Sequence, residues 1–235
     1  MYAALYMARR IPPGRLEHLV ECATQVFIKQ GYRRTQMSDV ATAAGIAKGT
    51  LYLYVESKEA LFDLVLRCAD ALQPVDNLTP LPIPTPPPGA TVKYVQERLA
   101  QNQVLPALIS ALTLDHVADP RAELEGIIGE LYGILARNRR AIELVDRSAP
   151  DHPELAALWF EGARGGLMDG LTRYLDARIR HQLLRPVPDT AVAARLIIET
   201  MVFWAVHRHW DPHPQTVDDA VAQDTVVRFI VGALT

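Results

Sequence analysis

Cysteine is scarce: Cys22 and Cys68 are the only two in 235 residues. That number gives no metal-type spacing and no disulfide framework, and both residues fall on apolar helical faces, where buried free thiols are expected. No uninterrupted apolar run approaches membrane-spanning length. The start, MYAALYMARRIPPG, places its arginines after its apolar residues, the reverse of a secretory signal. A cytoplasmic protein without membrane association is therefore expected. A glycine-rich phosphate loop is also missing, because Gly126 and Gly129, and likewise Gly162, Gly165 and Gly166, lie inside helical patterns. Asp115 and His116, near Asp119, have no nucleophile at a recognisable motif beside them. No enzyme signature emerges, so neither a catalytic residue nor a cofactor is expected. Alternating strand patterns are lacking, which makes the chain all-α.

What is present is a 49% hydrophobic chain, enough for a sizeable core and one or two domains. Its net charge of −3 is unevenly spread. Residues 1–58 hold eight Lys and Arg against four Asp and Glu, and the remainder sixteen against twenty-three. A basic head on an acidic body suits nucleic-acid binding at one end.

The centre of that head is Gln36 to Val55, QMSDVATAAGIAKGTLYLYV. Met37, Val40, Ala41 and Ala44 recur at helical spacing and give a first helix one apolar face. Gly45 stands where a helix end needs a left-handed residue. Beyond it Ile46, Leu51 and Tyr54 turn inward, while Lys48, Thr50 and Tyr52 are left outward beside small Ala47 and Gly49. This is a helix-turn-helix pattern whose second helix enters DNA.

The block Gly31 to Phe62, GYRRTQMSDVATAAGIAKGTLYLYVESKEALF, resembles the DNA-binding domain of TetR-type transcriptional repressors. Matching marks are Gly31-Tyr32, Asp39-Val40-Ala41, Ala44-Gly45-Ile46, Lys48 to Tyr52, Tyr54 and Ser57 to Phe62. Three residues depart from the pattern. Gln36 and Ala47 replace capping hydroxyls, which leaves the first motif helix to a looser start or to Thr35; Val55 replaces a phenylalanine. Placement and resemblance together cast Lys48, Tyr52, Tyr54 and Lys58 as phosphate contacts. Thr50 is cast as a base-edge contact with Gly49 letting the backbone approach, and Thr35 and Gln36 complete the DNA-binding set.

The resulting expectation is a mobile basic tail over 1–14, a three-helix domain over 15–73, a proline-rich connector over 74–90, and a larger helical domain over 91–235. Helices are expected over Arg15–Gln30, from Ser57 to Gln73, from Thr91 to about Leu114 with a kink at Pro106, and from Pro120 to about Asn138. Others follow over Arg139–Arg147, from an Asp151 cap to about Leu184, from Asp189 to about Trp210, and over Thr216–Leu234. Tyr94, His116, Tyr132, Trp159, Arg164 and Met168 are candidates for a ligand pocket as a set, while ordinary core packing accounts better for any single one of them. His207 and His209 cannot both point at one metal ion from a helix, so no metal site is assigned. Apolar residues on two faces of the helix around Val192, Leu196, Phe203 and Trp204 indicate burial on several sides. Gly162 and Gly166 indicate a close approach. The resemblance assigns those six to a homodimer interface. It implies a one-component repressor that binds a palindromic double-stranded operator and is released by an unknown small-molecule effector. The alternative is an effector-independent DNA-binding protein whose second domain only dimerises.

Overall fold

The computed structural model describes residues 14–71, 81–102, 105–114 and 117–235. The basic tail up to residue 13, Leu72 to Pro80, and the Asp115–His116 pair lie outside the described residues. All regular elements among the described residues are helical; one isolated parallel bridge joins Val55 and Ile83. The chain divides into two compact units, Met1–Pro86 and Pro87–Thr235.

In the first unit α1 spans Arg15–Arg34, with a break at Gly31, whose φ of 76° only glycine adopts at little cost. Its stripe of Leu16, Leu19, Val20, Ala23 and Phe27 is buried. Helices α2 (Met37–Ala43), α3 (Lys48–Leu51) and α4 (Lys58–Cys68) complete the unit. α4 packs on α1, where the Phe27 and Phe62 rings meet edge to face, its Leu61, Leu64 and Val65 are buried, and α2 and α3 pack on each other. The Ser57 hydroxyl caps α4 by accepting from Ala60 N at 3.0 Å. α4 is shorter than expected: Ala69–Ala71 is a 3-10 turn containing Asp70 at a φ of 58°. The proline-rich stretch is not a connector throughout, since residues 81–86 belong to this first unit.

The second unit begins with α5 (Ala90–Asn102) and α6 (Pro106–Thr113). Pro106 therefore opens a helix at its first position and does not kink one. α7 is Pro120–Arg137, capped by Asp119 Oδ1 accepting from Ala122 N at 3.0 Å, and α8 is Arg139–Ser148. Asp151 is the last residue of a 3-10 turn over Ala149–Asp151, and α9 (Pro153–Ala156), with His152 at its N-cap position, starts two residues later. A π-helical stretch over Ala157–Arg164 then leads directly into α10 (Gly165–Arg180). α11 is Thr190–Ala205, followed by a 3-10 turn over His207–Trp210, and α12 is Asp219–Leu234. α7, α10, α11 and α12 enclose Leu124, Ile127, Ile128, Leu131, Leu171, Tyr174, Ile197, Met201 and Ile230. Arg178 is buried in this unit, paired with Glu123 at 2.8 Å and donating to the Ala111 carbonyl, so α6, α7 and α10 are tied by one guanidinium.

Candidate nucleic-acid interface

The turn between α2 and α3 is built by backbone geometry. Gly45 takes a φ of 64°, Ile46 N donates to Ala41 O at 2.9 Å and Gly45 N to Thr42 O at 3.1 Å. Those two bonds satisfy carbonyls that the end of α2 would otherwise leave open. At the other end of α2, Asp39 Oδ2 accepts from Gln36 N at 2.9 Å. The carboxylate thus holds the helix start that Gln36 in place of a hydroxyl residue left in question.

The geometry separates the eight residues expected to meet DNA. Gln36, Lys48, Gly49 and Tyr52 are exposed and Thr50 half-exposed. A Cβ added at Gly49 would meet open space, so an approaching surface finds no obstruction there. Three others are committed inward. Thr35 is 1% exposed and its hydroxyl donates to Gly31 O at 2.7 Å, so it caps α1. Tyr54 is 6% exposed and belongs to the core of the unit. Lys58 Nζ donates to the carbonyls of Tyr32 and Thr35, both at 3.0 Å, and lies 4.4 Å from the centre of the Tyr32 ring. An ammonium so held closes the carboxyl end of α1, where the helix dipole favours a cation. Tyr32 is fixed in turn by its hydroxyl donating to Glu59 Oε1 at 2.9 Å and by packing on Phe27 and Phe62. Burial, with Glu59 beside it, pushes the Tyr32 phenol far up. Leu53, 57% exposed just past α3, escaped the sequence reasoning; an apolar side chain next to Tyr52 was the available signal. It is suited to a thymine methyl group.

The described candidate ligand residues of the second unit have different surroundings. Trp159 and Arg164 come together on Asp146: Trp159 Nε1 donates to Asp146 Oδ1 at 3.0 Å, and Arg164 lies 3.9 Å from the same oxygen. Arg164 also pairs with Glu199. Tyr132 sits in the helical core at 2% exposure, Met168 packs against that core, and Tyr94 is half-buried on α5. His116 lies outside the described residues. A cleft of about 570 Å³ is lined by residues including Asp119, Arg121, Ile179, Leu184, Arg185 and Thr235. His207 and His209 go separate ways, His207 Nδ1 to Glu143 at 2.6 Å and His209 Nε2 to Arg139 at 2.7 Å. The two cysteines are free but only half-buried; burial raises the Cys68 thiol to about 11.

Four of the residues assigned to a dimer interface, Val192, Leu196, Phe203 and Trp204, lie on α11, which has two distinct faces. Ile197 and Met201 are buried and Trp204 packs partly on the core, while Val192, Leu196 and Phe203 form an exposed apolar stripe. Gly162 and Gly166 are exposed, and an added Cβ at Gly166 would touch nothing in the chain. Phe229 and Val221 on α12, also exposed, were not anticipated.

Residues 19–65 match the model of bacterial regulatory proteins of the tetR family. Over 211 residues the chain is 27% identical to the HTH-type transcriptional repressor KstR2 of Rhodococcus jostii, covering 89% of this chain and 86% of that one. The HTH-type transcriptional repressor DhaR of a Mycobacterium species is 45% identical over 51 residues, 22% of this chain and 26% of that one. The structure of KstR2 of Mycobacterium tuberculosis, described as a ketosteroid transcriptional regulator, shares the fold at a TM-score of 0.57 and 18% identity over 96% of this chain and 97% of that one. The amino-terminal helix-turn-helix region, residues 19–65, is thus a domain of the tetR family of bacterial regulatory proteins.

Proposed function

We propose that the chain is a transcriptional repressor that binds an inverted-repeat operator as a homodimer and leaves it when a small molecule occupies the second unit. The observation that carries the DNA-binding half is the outward face of α3. Lys48, Gly49, Thr50 and Tyr52 present a cation, an open backbone, a hydroxyl and a phenol where the paired helices leave a protruding edge. Phosphate contacts from such a face supply affinity and base-edge contacts supply selectivity. Lys48 and Tyr52 take the first role, and Thr50, with Leu53, the second. Homodimerisation is supported by the apolar stripe of Val192, Leu196 and Phe203, which stands 57%, 63% and 36% exposed on α11.

The effector reading rests on the likeness to KstR2 along most of the chain, and steroid-derived compounds are the first class to screen. The polar group of Trp159, Asp146, Arg164 and Glu199 is the place in the second unit where a polar end of such a molecule finds partners. A ligand releases DNA only if it binds the released state more tightly than the bound one. The test is selection of duplexes from a random pool, then titration of small molecules into the complex. An inverted repeat that is released by one compound class is expected. Selection of an operator that no compound releases would favour the effector-independent alternative.

A further inference from the structure

Leu81 to Pro86, LPIPTP, reads as spacer: three of its six residues are proline. Its placement is different. Ile83 N donates to Tyr54 O at 2.8 Å, and Glu56 N donates to Ile83 O at 3.0 Å, which makes the parallel bridge between Val55 and Ile83. Two residues on, Thr85 N donates to Glu56 Oε2 at 2.9 Å and the Thr85 hydroxyl donates to Ser57 Oγ at 2.8 Å. Proline has no N–H to give. Here Pro82, Pro84 and Pro86 alternate with the two residues whose N–H groups are used. The stretch is stiff where it bonds to nothing and supplies donors where the domain accepts them.

The segment it grips is the joint behind the reading helix. Tyr54 N and Val55 N both donate to Leu51 O, at 3.0 and 3.3 Å, and Leu51 is the last residue of α3. Ser57, at the other end of the joint, caps α4. Four hydrogen bonds with the strap therefore fall on Tyr54 to Ser57, the second part of the six-residue joint, 52–57, that links the end of α3 to the start of α4.

We propose that Ile83 and Thr85, acting through Tyr54, Glu56 and Ser57, are positioning residues for DNA recognition: the strap fixes the angle at which α3 is presented. None of the strap residues is itself assigned to DNA. Base-edge contacts demand a narrower range of helix orientations than phosphate contacts do, so a loosened strap costs selectivity first. The proposal rests on the reading that the Lys48–Tyr52 face enters DNA.

The experiment uses the full chain and two probes at one salt concentration, a duplex selected by the wild-type protein from a random pool and a random duplex of equal length. Ile83→Pro deletes one strap N–H; Thr85→Val deletes the hydroxyl donor at nearly constant shape, and Thr85→Ser restores it. Amide exchange at Glu56 reports whether the bridge has opened. Ile83→Pro should lower the preference for the selected duplex by about tenfold, the scale of one or two hydrogen bonds, and Thr85→Val by less. Affinity for the random duplex should stay within about twofold, and Thr85→Ser should behave as wild type. Faster exchange at Glu56 with the preference intact overturns the proposal. So does an equal loss on both duplexes, or a lower melting temperature with unchanged binding. If Ile83→Pro fails to fold, Thr85→Val against Thr85→Ser decides alone. A wild-type protein that selects no duplex removes the operator reading and this proposal together; one that selects a duplex which Thr85→Val discriminates equally well removes only this proposal.

Discussion

Two lysines in the amino-terminal unit show how placement sets the work of a charge. Lys48 projects from the start of α3 into solvent, whereas the Lys58 ammonium is spent on backbone carbonyls and the Tyr32 ring. Lys48→Ala should therefore flatten the salt dependence of DNA affinity by about one unit of slope and leave melting untouched. Lys58→Ala should do the reverse, lowering the melting temperature because carbonyls at the end of α1 lose their donor. A salt titration and a thermal scan of both variants check the pair; an unchanged slope for Lys48→Ala would exclude it as a phosphate contact. In the second unit, His207 and Glu143 form an ion pair whose strength depends on pH. The hydrogen bond to Glu143 holds His207 above its ordinary 6.5, against burial, with Asp146 adding to the rise and Arg147 opposing it. Burial pushes Glu143 up, but the hydrogen bonds from His207 and Arg147 outweigh it and leave Glu143 below its ordinary 4.5. A raised histidine stabilises fully below its unfolded value and loses that contribution as pH climbs through the folded one. A depressed carboxylate stabilises above its unfolded value and loses the contribution on acidification. The pair is therefore strongest between 4.5 and 6.5 and weakens above. Between about pH 6 and pH 8, the wild type should lose a few degrees of melting temperature that a His207→Gln variant does not lose. Parallel melting curves of the two would contradict this.

Among the elements, the α2–Gly45–α3 turn depends on one backbone angle. A Cβ at Gly45 would touch nothing within 4 Å, so any cost of substitution comes from its φ of 64° alone. Gly45→Ala should cost about 1–2 kcal/mol, and Gly45→Asn less, because asparagine tolerates the left-handed region. Equal denaturation midpoints for the two variants would argue against that cause. The same glycine explains why this turn was legible in the sequence: residue type and conformation agree there. Elsewhere they do not. α10 stops at Arg180 because Gln182 takes a φ of 59°, with Leu183 N donating to Arg178 O and Gln182 N to Ile179 O. That is a glycine-type helix end made by a glutamine, and a reading that waits for glycine or proline runs on to Leu184. The π-helical stretch over Ala157–Arg164 leaves no mark in apolar spacing. Outward and inward positions on α3 followed from periodicity, but the inward commitment of Lys58 needed carbonyls at the distant end of α1 that no local pattern reveals, whereas Thr35 turns back on Gly31, four residues earlier. The strap at Ile83 and Thr85 was hidden for a related reason. Proline density describes what a chain cannot donate, and the two donors between the prolines matter only once Tyr54 and Glu56 lie opposite them.

For the whole molecule, the question is what covers the outer stripe of α11. Val192 and Leu196 are 57% and 63% exposed, and with Phe203 they fall on one line of the helix, opposite the buried Ile197 and Met201. A charge placed at Leu196 is in water while the chain is alone, so Leu196→Glu should fold and melt like the wild type at high dilution. In a dimer packed through this stripe the same carboxylate would be buried without a partner, a penalty of about 3–5 kcal/mol, which separates the subunits. Light scattering should then report the 26.1 kDa chain in place of twice that mass. The consequence for DNA follows from geometry. Two recognition helices held in one dimer meet half-sites spaced by roughly 34–36 Å or a multiple of it, and binding at the first makes the second effectively intramolecular. A monomer loses that gain, so operator affinity should fall by about 10²–10⁴ while affinity for an isolated half-site is retained. Gly166→Ala provides an independent probe, since a Cβ added there meets nothing within 4 Å in its own chain. Should both variants remain dimeric and protect the full inverted repeat, the subunits pair elsewhere, and the exposed Val221 and Phe229 of α12 become the next face to alter.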